Sequence, residues 1–183
     1  WTFRAFGYEA VSVLDGGLPK WRREGRQIYS GPTPPVAPPP VRFTPRLDRR
    51  WVRSLDEMRA NIDSRAELVL DARSAGRFAG TDPEPRPGLR GGHIPGSLSL
   101  PFNLLVDATS GTLRAAPELA EIFAGIGLAD RQSAVATCGS GLTASIVALA
   151  LHRLGREPVA VYDGRSEEHT SELQSRETIS YAV

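Results

Sequence analysis

The chain has 183 residues, a length that allows one full domain and part of a second. Apolar residues make up 40% of it, enough for an ordinary core, and no apolar run approaches the roughly 18–20 residues of a membrane span. The formal net charge is +1 without a long basic run, which disfavours nucleic acid as a partner. A single cysteine excludes an intrachain disulfide and favours a reducing compartment, so the composition predicts a cytoplasmic protein without a membrane partner.

A short internal repeat occurs near the two ends of the chain. Residues 3–16 align with residues 151–164, and both copies contain the pattern Gly-x-Glu-x-Val-x-Val-x-Asp-Gly. Each copy has the signature of a helix end, a glycine stop and a short β-branched strand. A shared order of elements favours duplication over chance, so we expect a tandem of two related domains. Residues 1–29 would then be the C-terminal remnant of the first domain.

A proline-rich stretch separates the two copies of the repeat. Residues 30–45 contain seven prolines. Proline fixes φ and removes a backbone donor, so this stretch is expected to be extended and semi-rigid, with a disordered loop as the alternative for its centre. Residues 30–46 are therefore predicted to be an interdomain linker.

Residues 47–164 alternate the patterns of helices and strands. Ser54 and Glu57 have the spacing of a capping box, which predicts a helix over residues 55–62. Further elements are predicted from short and long apolar runs: strands at 67–70, 97–100, 133–137 and 159–162, and helices at about 117–124 and 142–154. This alternation predicts an α/β layered domain with a mainly parallel central sheet flanked by helices. Ligands of such sheets bind beyond the carboxyl ends of the strands.

Cys138 falls at one of these carboxyl ends and is followed by Gly139, Ser140 and Gly141. A glycine-rich loop lets successive backbone N–H groups turn inward as an anion-binding nest, and the start of the next helix adds partial positive charge. Such surroundings favour the thiolate over the thiol and make Cys138 a candidate nucleophile. For a lone cysteine, the alternative is a small buried hydrophobe.

The segment 137–144, Thr-Cys-Gly-Ser-Gly-Leu-Thr-Ala, closely resembles the active-site loop of the 3-mercaptopyruvate sulfurtransferases, a family of the rhodanese superfamily. Other stretches resemble the same family in the same order: 13–21, 71–78 (Asp-Ala-Arg-Ser-Ala-Gly-Arg-Phe), 83–86 (Pro-Glu-Pro-Arg), 92–96 (Gly-His-Ile-Pro-Gly) and 161–164. The resemblance implies a rhodanese-like fold with an inactive first domain and a catalytic second domain, residues 47–164. It also implies an active site that faces the domain interface.

The same resemblance implies the chemistry of a sulfurtransferase that needs no cofactor. Cys138 would take the sulfur of 3-mercaptopyruvate as a persulfide, release pyruvate, and pass the sulfur to a thiol such as thioredoxin, or to cyanide. Arg77 and Arg86 match the family arginines that hold the carboxylate and carbonyl of the substrate, for which a planar guanidinium is suited. Ser140 matches a residue thought to donate a hydrogen bond to the enolate or to relay a proton. Its alternative role is a local turn hydrogen bond.

The rest of the loop, Gly139, Gly141, Leu142 and Thr143, is assigned to substrate binding by the same resemblance. Thr143 is more readily explained as the cap of the following helix than as a reacting group. His93 matches a histidine with a structural role in its loop. With three histidines and one cysteine, the sequence predicts no metal site.

Three other functions compete with this interpretation. A thiosulfate sulfurtransferase, the rhodanese proper, would use the same fold, and a non-catalytic rhodanese-like module would only bind partners. A cysteine phosphatase needs an arginine six positions after its cysteine to hold phosphate, where this sequence has Ala144. The phosphatase is therefore disfavoured.

The final residues depart from the family pattern. In the register of the repeat, the tryptophan that matches Trp21 should stand at position 169, which is His169. Residues 165–183 are polar and resemble neither copy, so we expect a foreign tail, with a divergent C-terminal helix as the alternative. The last helix of the catalytic domain would then be missing.

Overall fold

A parallel five-stranded sheet forms the centre of the fold. The computed structural model describes residues 1–31, 42–85, 91–130 and 132–162. The strands are β1 (Val52–Arg53), β2 (Leu68–Asp71), β3 (Leu98–Ser99), β4 (Ala134–Thr137) and β5 (Ala160–Tyr162). Their spatial order is β1-β5-β4-β2-β3, and all four pairs of neighbours are parallel. The predicted α/β fold with a parallel sheet is confirmed.

Within the described ranges, six α-helices accompany the sheet: α1 (Thr2–Ala5), α2 (Gly17–Arg23), α3 (Leu55–Ser64), α4 (Ala75–Ala79), α5 (Ala116–Gly125) and α6 (Leu142–Arg153). The four strands and three helices predicted for the second unit are all present, with bounds within about two residues of those expected, the usual uncertainty at element ends. The sequence did not predict β1 or α4, which are only two and five residues long. Elements this short carry too few residues to show a period.

The hydrophobic core lies on both faces of the sheet. One face presents Leu70, Ala136 and Val161 to the cluster that includes residues of α5 and α6. The opposite face presents Val69 and Val135 to the side of the sheet that α3 covers through Met58. All four residues of β4 are buried, as expected for a central parallel strand with helices on both sides.

The two copies of the repeat have equivalent hydrogen bonds at the ends of their helices. The N–H of Gly7 donates to the carbonyl of Arg4 at 2.9 Å, and the N–H of Gly155 donates to that of His152 at 2.8 Å. The backbone N–H of the next residue donates a second hydrogen bond to the preceding turn: Tyr8 to the carbonyl of Phe3 at 2.8 Å, and Arg156 to the carbonyl of Leu151 at 3.1 Å. Both glycines have positive φ, +86° and +75°, which a helix C-terminus of this kind requires. The two copies therefore end their helices in the same local conformation.

The first copy does not form the predicted strand. Residues 8–14 have no regular structure, and Val13 is 64% exposed. The equivalent β5 pairs with β4 and β1, whereas no strand of the described ranges pairs with the first copy. A strand depends on hydrogen bonds to its neighbours, so the prediction was wrong for residues without such a neighbour.

The N-terminal residues nevertheless contact the second unit. The indole of Trp1 donates to the carbonyl of Trp51 at 3.1 Å, and Arg4 forms an ion pair with Glu157 at 2.9 Å. The carboxylate of Asp15 accepts from the N–H of Leu113 at 2.8 Å. Residues 32–41 of the predicted linker and the predicted foreign tail, residues 165–183, lie outside the described residues. In the described part of the chain, no helix has the length and apolarity to cross a membrane.

The capping box of α3 gives a first prediction. The hydroxyl of Ser54 accepts from the N–H of Glu57 at 3.3 Å, and the carboxylate of Glu57 accepts from the N–H of Ser54 at 2.6 Å. Loss of an N-cap hydroxyl typically costs about 1 kcal/mol. We expect Ser54→Ala to lower the free energy of unfolding by about that amount in urea denaturation. Ser64→Ala, at the exposed C-terminal end of the same helix, is the matched control. Equal effects of the two substitutions would contradict a capping role.

Candidate active site

Cys138 lies between the end of β4 and the start of α6. Its side chain is buried, with 6% of the residue exposed, and belongs to the core cluster on the α5 and α6 face. The backbone N–H of Ala144, in the first turn of α6, donates to Sγ at 3.4 Å. The sulfur therefore lies at the N-terminal end of a twelve-residue helix, where unpaired backbone donors and the helix dipole stabilise negative charge.

The two glycines of the loop have different roles. Gly141 has a φ of +75° and is the N-cap of α6, a conformation that other residues adopt only with strain. Gly139 has no positive φ, but a Cβ at this position would lie 3.2 Å from Nη2 of Arg77. Gly141 thus permits the turn, whereas Gly139 leaves space for a guanidinium group.

The short helix α4 holds Arg77 beside the loop. The hydroxyl of Ser74 caps this helix by accepting from the N–H of Arg77 at 3.3 Å. Gly80 ends the helix with a φ of +75°. The structure therefore brings together two predicted parts of the site, Arg77 and the Cys138 loop, through the close approach of the guanidinium to Gly139.

Glu84 is a buried carboxylate that the sequence did not identify as part of the site. Its side chain is 5% exposed and accepts from Nε of Arg77 at 3.1 and 3.2 Å and from Nη2 at 2.5 Å. It also accepts from Nη1 of Arg73 at 3.0 Å. Arg73 in turn donates to both carboxylate oxygens of Asp71, at 2.6–3.1 Å, and to the carbonyl of Gly92 at 2.7 Å. We call Asp71, Arg73, Arg77 and Glu84 the charge network.

The charge network contains two guanidinium groups and two carboxylates, so its formal charge is zero. Burial alone lowers the pKa of Arg73, but hydrogen bonds and charge interactions with Asp71 and Glu84 outweigh it, and the pKa is raised. Buried ions are stable only when they are paired and hydrogen-bonded. One signal was available in the sequence: Asp71 and Arg73 come at the end of the apolar strand predicted at residues 67–70, and Glu84 stands between two prolines. The pairing of Glu84 with Arg73 depends on how the segment after α4 folds back toward the end of β2, which the sequence pattern does not show.

The other predicted residues occupy varied positions. Ser140 is exposed and makes no hydrogen bond to another described residue, so the turn hydrogen bond considered for it is absent there. Leu142 is 75% exposed at the first position of α6. Arg86 lies outside the described residues. His93 packs on Phe78, with ring centroids 3.9 Å apart, and its Nδ1 lies 2.9 Å from the carbonyl oxygen of Phe78.

The prediction that Thr143 caps α6 was wrong. The N-cap is Gly141, and no side chain provides the cap hydrogen bond. Thr143 is the second residue inside the helix, whereas a capping side chain belongs to the residue that precedes it. The hydroxyl of Ser145 instead donates to the carbonyl of Gly141 at 2.9 Å.

Residues 54–171 match the model of the rhodanese-like domain. The chain belongs to the rhodanese-like family. Its relatives include 3-mercaptopyruvate sulfurtransferase of Homo sapiens, 38% identical over 98% of this chain and 59% of the relative. Thiosulfate sulfurtransferase of Cricetulus griseus is 40% identical over 90% of this chain and 54% of the relative.

Solved structures show the same fold. The crystal structure of SseA from Escherichia coli, described as a 3-mercaptopyruvate sulfotransferase, superposes with a TM-score of 0.76 at 35% identity. That match covers 90% of this chain and 59% of the other. The chain therefore spans less than three fifths of the length of each of these proteins.

The different roles of the two glycines give a second prediction. Gly141→Ala forces a side chain into the left-handed region, so we expect a loss of about 1 kcal/mol in the free energy of unfolding. Gly139→Ala introduces no such strain and displaces only the end of the Arg77 side chain, so its effect on stability should be smaller. Urea denaturation of the two variants tests the difference. The interpretation fails if Gly139→Ala is the more destabilising change.

Proposed function

We propose that the protein is a sulfurtransferase that carries sulfur on Cys138 as a persulfide, with 3-mercaptopyruvate as the preferred donor. The observation that supports this proposal best is the position of Cys138 Sγ at the N-terminus of α6, beside the loop that Arg77 approaches. Curated relatives at 38–40% identity are sulfurtransferases, and the chain shares their family.

The proposed first step moves one sulfur atom. The thiolate of Cys138 attacks the sulfur of 3-mercaptopyruvate and forms an S–S bond, while the carbon–sulfur bond breaks. Its electron pair leaves with the carbon as the enolate of pyruvate, which takes up a proton to give pyruvate. Ser140, exposed at the loop, is proposed to donate a hydrogen bond to this enolate or to relay the proton. Negative charge that remains on the persulfide is stabilised by the N-terminus of α6.

The proposed second step returns Cys138 to its thiolate form. A thiolate from a carrier such as thioredoxin, or cyanide, attacks the outer sulfur and leaves with it, and the electron pair of the S–S bond returns to Cys138. This exchange requires no cofactor. A reducing compartment such as the cytoplasm would supply the acceptor thiols.

Arg77 is proposed to bind the substrate through the part of its guanidinium that Glu84 leaves available. Glu84 accepts from Nε and Nη2, whereas Nη1 has no protein partner among the described residues. A donor at that position can orient a substrate carboxylate and direct its sulfur toward Cys138. Arg86 is proposed to act with Arg77, and the loop residues Gly139, Gly141, Leu142 and Thr143 to form the wall of the site.

The charge of the loop supports mercaptopyruvate as the preferred donor. The loop residues 139–143 contain no cationic side chain, and the neighbouring charge network is neutral. Two like charges repel by about 4 kcal/mol at 4 Å for an effective dielectric constant of about 20. Thiosulfate, a dianion, would meet this repulsion beside the thiolate, whereas mercaptopyruvate keeps its one carboxylate away from the reacting sulfur.

A thiosulfate sulfurtransferase remains the second candidate. The relatives of that type match this chain at 40% identity, against 38% for the human mercaptopyruvate enzyme, so identity alone does not separate the two. A module that only binds partners is less consistent with the site, because binding alone gives no reason to combine Cys138, the helix N-terminus and Arg77.

The proposed nucleophile gives a third prediction. We expect Cys138→Ser to abolish sulfur transfer, and the intact mass of the wild type to increase by one sulfur atom after exposure to mercaptopyruvate. The chain has no other cysteine, so the added mass reports on one position. The double variant Cys138→Ser, Ser64→Cys restores a thiol on the surface and should gain no sulfur. A Cys138→Ser variant that keeps most of the activity would exclude the mechanism.

The proposed substrate preference gives a fourth prediction. We expect kcat/KM for mercaptopyruvate to exceed that for thiosulfate by at least about tenfold, which corresponds to about 1.4 kcal/mol of barrier. Pyruvate release and thiocyanate formation measure the two reactions, with cyanide as the common acceptor. Equal or better activity with thiosulfate would show that the charge of the loop does not determine the preference.

A further inference from the structure

We propose that Glu84 is a specificity-determining residue that acts through Arg77: its carboxylate cancels the positive charge beside the Cys138 loop and so disfavours dianionic sulfur donors. The inference deepens the proposed function and rests on it for the identity of the donors. Glu84 is a positioning residue in this proposal, because it contacts Arg77 and not the sulfur donor.

The contacts of Glu84 place its negative charge directly against the positive charge of Arg77. The carboxylate faces the Nε and Nη2 edge of this guanidinium with three hydrogen bonds, and its side chain is 5% exposed. A partly buried charge pair of this kind is screened by salt much less than a pair on the surface. The same Nη2 atom would lie 3.2 Å from a Cβ on Gly139, so the pair lies directly beside the loop that carries Cys138.

Removal of the Glu84 carboxylate would leave Arg77 without an ion-pair partner in the charge network, whereas Arg73 would keep one. Arg73 also pairs with Asp71, at 2.6 Å between its Nη2 and the carboxylate. Arg77 has no second carboxylate among the residues that the structure describes. The charge network would therefore change from neutral to a formal charge of +1, and the unpaired charge would lie on the arginine beside the loop.

Such a charge acts differently on different donors. The attraction between a fixed cation and a bound anion is proportional to the charge of the anion. A dianion such as thiosulfate therefore gains about twice as much as a monoanion such as mercaptopyruvate at the same distance. In the wild type, the carboxylate of Glu84 offsets the charge of Arg77, so thiosulfate does not gain this additional attraction.

The first arm of the test compares the two donors in the Glu84→Gln variant. Glutamine keeps the size of the side chain and removes the charge, so we expect the ratio of kcat/KM for thiosulfate to that for mercaptopyruvate to rise by at least about fivefold. Glu67→Gln is the matched control, because Glu67 also pairs with an arginine, Arg53, at 2.6 Å. The two side chains are similarly exposed, at 19% for Glu67 and 21% for Arg53. A purely structural role of Glu84 would lower both kcat/KM values together and leave their ratio unchanged.

The second arm measures the charge beside Cys138 without any sulfur donor. Iodoacetate and iodoacetamide alkylate a thiolate by the same displacement of iodide and differ in size very little, but only iodoacetate is an anion. Cys138 is the only cysteine, so the ratio of the two alkylation rates reports on this one site. We expect the iodoacetate to iodoacetamide ratio to rise by at least about threefold in Glu84→Gln and to stay at the wild-type value in Glu67→Gln.

A reciprocal variant keeps the test decisive if Glu84→Gln does not fold. Arg77 is more exposed than Glu84, at 25% of its side chain, and Arg77→Gln leaves the charge network with a formal charge of −1. The iodoacetate to iodoacetamide ratio should then fall below the wild-type value. An alkylation ratio that stays at the wild-type value in Glu84→Gln, or in Arg77→Gln if Glu84→Gln does not fold, would overturn the inference.

The two arms also separate this inference from the proposed function. If the wild type forms a persulfide and the Glu84→Gln variant changes neither ratio, the role of Glu84 is wrong and the sulfurtransferase proposal is unaffected. If neither donor forms a persulfide in the wild type but the alkylation ratio rises in Glu84→Gln, the charge effect of Glu84 holds and the proposed function is wrong.

Discussion

The alignment of β2 with β4 is the constraint on which the candidate site depends. Asp71 and Thr137 are register partners at the carboxyl ends of these two strands, and the N–H of Ala72 donates to the carbonyl of Thr137 at 2.9 Å. The charge network begins at the end of β2, and the Cys138 loop begins at the end of β4. A slip of one residue in this register would turn Asp71 toward the opposite face of the sheet. Arg73 would then lose the Asp71 carboxylate that holds the charge network at the end of β2.

The charge network adds a second constraint, since its four members depend on one another. Paired ions that are removed from water gain little net stability over apolar residues, but the loss of a single partner is strongly destabilising. Such a network is better suited to define geometry than to increase stability. It connects a buried strand end, through Arg73 and Glu84, to the guanidinium of Arg77, which approaches the Cys138 loop. The position of Arg77 is therefore determined by the sheet as well as by the short helix that carries it.

Much of the second unit could be predicted from the sequence because local patterns determine it. The capping box, the apolar strands and the glycine-rich loop after Cys138 all depend on residues close together in the chain. The space that Gly139 leaves for Arg77 and the pairing of Glu84 depend on residues far apart, and no local pattern encodes them. The strand expected near Val13 failed for a related reason. Its local pattern is that of a strand, but residues 8–14 have no neighbouring strand with which to form hydrogen bonds among the described residues. The assignment of Thr143 as a cap failed because Gly141 already provides the cap conformation.

The close approach of Arg77 to Gly139 also makes the two positions epistatic. A side chain at position 139 cannot occupy its place until the guanidinium moves, since a Cβ there already lies 3.2 Å from Nη2. The effect of changing residue 139 therefore depends on which residue stands at position 77, and the reverse also holds. A side chain at position 139 therefore requires the end of the Arg77 side chain to shift by a few tenths of an ångström, so any change in this loop acts on both residues together.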